Sequence, residues 1–318
     1  MRIIVLFMAV IITAIPAFAV TNVYVSILPQ KTFVEKIGKD KVNVNVMVKP
    51  GASPATYEPK PKQMAALSKT EIYFSIGAPF ERAWLPKFSK LSPKMEITAT
   101  DAGIKKRSVE KHVHHGEEGE EHHDEHGETH EEGEHHNHDH DAEHNDHDHD
   151  HGEHDHEGIS DPHIWLDPML VSKQADTITQ ALCAKDAENC AFFKTNNESF
   201  KKELRALDST LREIFKNKNG MHFMVFHPSW GYFADRYGLE QIPVELEGKE
   251  PKPSDLKEFI NTVKELGLNT IFIQPQFSRK AAELIASETG ATVIAVDPLA
   301  KNWEENLIYT AKLISGSL

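Results

Sequence analysis

Apolar and polar positions alternate in two stretches near the start of the chain, Val23–Val25–Ile27 and Val42–Val44–Val46–Val48, which predicts strands. Residues 31–37 between them have helical spacing. A short helix over 62–68, a strand over 71–75 (EIYFS), a helix over 78–90 and a short strand over 95–97 continue the rhythm. The second half repeats it, with strands over 223–226, 242–246, 270–274 and 292–296. Helices are predicted over 230–236, 254–266, 278–289 and 302–314, with Ser254 as N-cap of the second and Asp255 in its first turn. Strand alternating with helix argues for an α/β fold with mostly parallel sheets flanked by helices.

Between the halves, residues 189–216 contain no Gly or Pro, and Phe192, Phe193, Phe200, Leu204, Leu207, Leu211 and Ile214 recur mostly at spacings of three, four or seven. One long, stiff helix joining two lobes is expected; a break near Asn196-Asn197 is the competing reading. The expected organisation is a signal peptide over 1–19, an N-terminal lobe over 20–188, a linking helix over 189–217 and a C-terminal lobe over 218–318. The signal reading rests on Arg2, the apolar run after it and the small-x-small pattern Ala17-Phe18-Ala19, against a membrane anchor.

The formal net charge is −14, but it is unevenly spread. Residues 110–157 hold 20 acids, one Lys and 17 of the 20 histidines, so this segment carries −19 and the rest of the chain +5. This low balance argues against a nucleic-acid partner, which would want a clustered basic face. The insert, 108–158, has too few apolar residues to offset chain entropy and is expected to be disordered. Its imidazoles and carboxylates are ligands for zinc and for other first-row metals, and they lose metal when protonated near pH 5.5. Cys183 and Cys190, separated by a turn-like stretch between helices, are a plausible disulfide in an exported protein; two free thiols are the alternative.

Three motifs stand outside the insert. Asp161-Pro162-His163-Ile164-Trp165-Leu166-Asp167-Pro168 follows it, Phe226-His227-Pro228-Ser229-Trp230 ends one strand, and Val296-Asp297-Pro298 ends the last. Ligands of open α/β sheets gather beyond the carboxyl ends of strands. His227 and Asp297 are placed at such an edge and His163 in a loop that begins the next helix; two His and a carboxylate at loop edges are candidates for a zinc first shell, although the spacing alone is a weak signal.

The ordered motifs DPHIWLDP, FHPSWGYFADRYGL, EGKEPKPSDL, IFIQPQFSRKAAELIA and VDPLA, with Pro50-Gly51-Ala52-Ser53-Pro54-Ala55-Thr56-Tyr57-Glu58-Pro59 before them, resemble the ZnuA-type family of periplasmic zinc-binding components of ABC importers. The resemblance covers essentially the whole mature chain. It implies two α/β lobes joined by a rigid helix, with metal in the cleft between them. It also implies a periplasmic monomer that is no enzyme, that captures Zn2+ and that hands it to an ABC permease and its ATPase.

His163, His227 and Asp297 occupy three of the family's four ligand places, and imidazole at 227 favours zinc over manganese or iron. Ala55 stands where the family has its first His. Water, Glu58 or a His of the insert 112–156 are then the candidates for the fourth ligand, unless the cleft site is weak and the insert does most of the binding. Gln274, where relatives often carry Glu, is expected to act behind the ligands or structurally.

Other readings are a metal buffer without a transporter, and a carrier of Mn, Fe, Ni or Cu. A zinc hydrolase with an open coordination position is the enzymatic reading, but neither Glu58 nor Glu245 can be placed as its general base from sequence.

Overall fold

A computed structural model describes residues 20–108, 160–245 and 251–316. The expected signal peptide, and all of the His-rich insert but Ser108, lie outside the described residues. In the first lobe, β1 (Thr21–Val25), β2 (Val42–Val46), β3 (Ile72–Ser75) and β4 (Glu96–Ala99) form a sheet in the order β2-β1-β3-β4. In the second, β5 (Met221–Val225), β6 (Leu239–Pro243), β7 (Thr270–Ile273) and β8 (Thr292–Ala295) repeat that order as β6-β5-β7-β8. Every strand pair in both sheets is parallel.

Burial follows position in the sheet. Edge strand β2 buries Val42, Val44 and Val46 and exposes Asn43 and Asn45, whereas central strand β3 is buried throughout. That is the difference between a strand covered on one face and one covered on both.

The helices of the first lobe are α1 (Leu28–Gly38), α2 (Pro61–Leu67) and α3 (Pro79–Leu91). α4 (Pro168–Lys185) and α5 (Cys190–Ile214) lead to the second lobe, which adds α6 (Gly231–Tyr237), α7 (Pro253–Glu265), α8 (Lys280–Thr289) and α9 (Trp303–Ser315). Among the described residues, no helix is long and apolar enough to cross a membrane.

Two local expectations need correction. Ser254 is not an N-cap: α7 begins at Pro253, whose missing N–H suits the first helical position, and the Asp255 carboxylate accepts from the Lys252 N–H at 2.8 Å. The strand expected over 242–246 begins at Leu239, because Gly238 takes the left-handed conformation (φ 69°), ends α6 and lets the sheet start at once.

The long connector is one continuous helix. α5 buries Phe193, Asn197, Phe200, Leu204, Leu207 and Leu211, a stripe of alternating four- and three-residue steps. The two asparagines do not break it, because both amides are used outside the helix. Asn196 Nδ2 donates to the Ile37 carbonyl at 2.9 Å, and Asn197 Nδ2 donates to Asp176 on α4 at 2.8 Å. Phe33 of α1 meets Phe200 of α5 (5.9 Å between ring centres) and Trp303 of α9 edge-on (5.0 Å). One apolar core therefore runs from the first lobe through the connector into the last helix. A smaller core around Phe226, Phe259, Ile271 and Ile285 fills the far side of the second sheet.

Cys183 and Cys190 are bonded, with Cα atoms 4.5 Å apart, across the turn between α4 and α5. The bridge sits at the end of α4 away from His163, with about 22 Å of helix between Pro168 and Cys183 at 1.5 Å of rise per residue.

Each sheet has a switch point where successive connections leave to opposite sides, between β1 and β3 and between β5 and β7. At the first one, Glu81 of α3 is 3% exposed. The Ser26 hydroxyl and the backbone N–H groups of Ile76 (3.0 Å) and Gly77 (2.8 Å) donate to its carboxylate. Burial outweighs these bonds and raises the Glu81 pKa to about 7.

The disulfide should matter for stability and not for metal affinity. Closing so short a loop is worth about 2.5 kcal/mol in the chain-entropy account. Replacing both cysteines by Ser is expected to lower unfolding stability by roughly that amount in denaturant melts, with metal affinity within about twofold of the parent.

Glu81 has a raised folded pKa, so its contribution is complete below its ordinary value of 4.5 and is lost as pH rises through about 7. Across that window the stability of the parent relative to Glu81→Gln is expected to fall by roughly 3 kcal/mol. Paired denaturant melts from pH 4.5 to 8 measure it, and a difference that does not change with pH would contradict the assignment.

Candidate metal centre

Two residues beyond the end of β5, the chain turns and presents His227. Gln274, at the end of neighbouring β7 and 1% exposed, clamps that turn. Its Oε1 accepts from the His227 N–H (3.1 Å), and its Nε2 donates to the His227 carbonyl (2.7 Å) and to Ser229 Oγ (3.0 Å). An amide can accept and donate in this way, whereas an ionised carboxylate can only accept.

The neighbour on the other side supplies the second hold. β5 and β6 pair with Val225 opposite Pro243, and the register carried two residues on sets Glu245 beside His227. His227 Nδ1 lies 2.7 Å from Glu245 Oε2, and Phe277 stacks on the imidazole with ring centres 4.7 Å apart.

His163 precedes the single turn Ile164–Leu166 that leads into α4, where Asp167 caps the helix by accepting from the Met169 N–H at 2.7 Å. Asp161, 1% exposed, fixes His163 twice: Oδ1 accepts from its backbone N–H at 2.9 Å and lies 2.7 Å from its Nδ1. Burial lowers the His163 pKa, against the opposing pull of Asp161, and so favours the neutral ring.

The two imidazoles meet at 5.3 Å between ring centres, inclined by 71°. In both, Nδ1 lies against a carboxylate, an acceptor, so the neutral tautomer that satisfies the contact carries its proton on Nδ1 and leaves Nε2 as the acceptor. A carboxylate behind each imidazole is how proteins fix the tautomer and raise the basicity of a metal-binding histidine.

The other candidates are placed differently. Asp297 lies just past β8, where its Oδ1 accepts from the Leu299 N–H and from Gln276 Nε2, both at 3.0 Å. Asn306 Nδ2 holds the Asp297 carbonyl at 2.8 Å. Its carboxylate thus caps its own turn. Among the described residues, no group of three or more His, Cys, Asp or Glu is assembled closely enough to hold a metal ion. The structure brings His163 and His227 together and does not add Asp297 to them as a third member.

Ala55 and Glu58 are both exposed on the loop between β2 and α2. That loop is pinned by the Phe80 N–H donating to the Pro54 carbonyl (3.2 Å) and by Tyr57, whose hydroxyl donates to Gln63 at 2.8 Å. The methyl group of Ala55 offers no lone pair. His112 to His156 lie outside the described residues.

Sequence reasoning named Glu245 without placing it and quoted Asp161 only as part of a motif. The strand register was the signal for the first. For the second it was a carboxylate two residues before a histidine, at Asx-turn spacing.

The sequence profile of the family described as zinc-uptake complex component A, periplasmic, matches residues 23–314. The "High-affinity zinc uptake system protein ZnuA" of Bacillus subtilis (strain 168) is 27% identical over 280 residues, spanning 87% of this chain and 78% of that protein. A crystal structure of ZnuA is 37% identical and superposes with a TM-score of 0.77 over 93% of this chain and 98% of the other. A ZnuA deletion mutant with zinc bound is equally similar in sequence, 37%, at a TM-score of 0.76 over 93% of this chain and 97% of the other. The two-lobed fold and a match over nearly the whole described chain agree, and the chain belongs to the family of the periplasmic zinc-uptake complex component A.

Proposed function

We propose that this protein captures zinc outside the cytoplasm and delivers it to an ABC permease, with His163 and His227 as the core of the binding site. The observation that carries the reading is the pair of facing imidazoles, each backed through Nδ1 by a buried carboxylate. Two adjacent imidazoles, each with Nδ1 engaged by a carboxylate and Nε2 left for a metal, suit Zn2+, a borderline ion that takes nitrogen and oxygen ligands in a tetrahedron. Asp297 completes the set of protein ligands through whichever oxygen its own turn leaves to the metal. Water, Glu58 or a histidine of the insert 112–156 fills the place that Ala55 cannot.

The zinc-bound ZnuA relative and the zinc-uptake system of the Bacillus protein support zinc as the cargo. On this reading the protein performs no catalysis. It works as a monomer in the periplasm, and its partners are the permease and the ATPase that powers it. Zinc is released when the imidazoles protonate or when the lobes are pulled apart at the permease.

Deleting residues 112–156 is expected to leave one tight zinc site in competition with a chelator. Adding His227→Ala to that deletion should weaken it by roughly a hundredfold or more, since a directly bound ligand is worth more than the tenfold to hundredfold of an outer partner. A deletion variant that binds no zinc above nonspecific level would remove the cleft site from the account.

Ala55→His restores an imidazole to the family's first ligand place and is expected to tighten zinc about tenfold or more, equivalent to about 1.4 kcal/mol. The same chelator titration reads it. Unchanged affinity would mean that the loop around Ala55 is not directed at the site.

A further inference from the structure

We propose that Tyr232 is a positioning residue: its hydroxyl ties the support of His163 to the element that carries His227, so that separating the two lobes loosens a zinc ligand. The inference rests on the zinc reading above.

Tyr232 lies in α6, five residues after His227 on the same β5–α6 unit, and is 6% exposed. Its hydroxyl both accepts and donates. The Arg107 N–H donates to it at 3.0 Å, and it donates to the Asp161 carbonyl at 2.9 Å. Burial raises the phenol pKa to about 12, so the donor proton is kept at neutral pH.

The two groups it fastens belong to neighbouring segments of the first half of the chain. Ser108 and Ser160 form an antiparallel bridge, and the Asp161 N–H donates to the Arg107 carbonyl at 2.9 Å. Arg107 adds a second hold on Asp161, with Nη1 3.9 Å from its carboxylate, while its Nε lies 3.3 Å from Asp235 of α6. The guanidinium fits over Gly231, where a Cβ would sit 1.3 Å from Nη1.

Asp161 is therefore a joint. Its backbone is held by Tyr232 and Arg107, and its carboxylate holds the backbone and the ring of His163. A metal ion shared by His163 and His227 would draw together the same two pieces that Tyr232 already ties. By linkage, the strut favours zinc and zinc favours the strut, each to the same degree. Breaking the strut frees Asp161 to move, and His163 loses the fixed acceptor that makes its Nε2 a good ligand.

The test uses the full chain and zinc itself. Equilibrium affinity is measured against a competing chelator, and the dissociation rate by stopped-flow chelation. The cleft site is identified as the kinetic phase that His163→Ala abolishes, which separates it from zinc on the insert.

Tyr232→Phe keeps the ring and removes the hydroxyl. It is expected to weaken the cleft site roughly threefold to tenfold, mainly through faster release. Asp161→Asn should cost roughly tenfold to a hundredfold. The double variant should be no weaker than Asp161→Asn alone, because Tyr232 acts through Asp161. Gly231→Ala, which displaces the guanidinium and leaves the hydroxyl, should also weaken the site. It stands in if Tyr232→Phe does not melt like the parent without metal.

Unchanged affinity and release in Tyr232→Phe, or effects of Tyr232→Phe and Asp161→Asn that simply multiply, would overturn the strut while leaving the zinc site intact. If no phase depends on His163, the zinc reading itself fails and the strut falls with it.

Discussion

Parallel pairing of β5 with a neighbour on each side is the constraint on which the binding edge depends. A parallel ladder keeps all carboxyl ends at one rim, and its register decides which residues stand side by side there. Through it, Glu245 arrives beside His227 from one neighbour and Gln274 from the other. One grips the ring and the other the backbone, so His227 is fixed before any ion is present. His163 has no strand beneath it. Its position is secured instead by Asp161 and by Trp165, whose indole N–H donates to the Pro298 carbonyl of the second lobe at 2.8 Å, while the Trp303 indole donates back to the Trp165 carbonyl at 2.8 Å.

Much of this architecture was readable from pattern. Alternation at Val42, Val44 and Val46, and the helical stripe from Phe193 to Leu211, follow from the two periodicities of backbone geometry. Boundaries were harder, because they depend on single residues. Pro253 moved a helix start, and Gly238 moved a strand start. The asparagines of α5 were ambiguous for a related reason: a propensity for turns can be overridden when the side-chain amides find partners on other helices.

The metal centre divides along the same line. His163 and His227 could be named as candidates because ligand chemistry resides in residue type and in a place at a loop edge. The groups that hold them could not be placed, because Asp161 and Glu245 meet the two rings at distances that only the folded chain defines. Asp297 is the intermediate case. Its type and strand-end location could be read from sequence, but not that the Leu299 N–H and the Gln276 amide both engage its Oδ1.

The two sheets share one strand order, and a buried neutral amide spans each switch point, Gln30 in the first and Gln274 in the second; the first adds the buried carboxyl of Glu81. Mild acid therefore reaches the halves unequally. Protonating Glu81 relieves a buried charge and firms the first half, while the amide of Gln274 has no proton to gain.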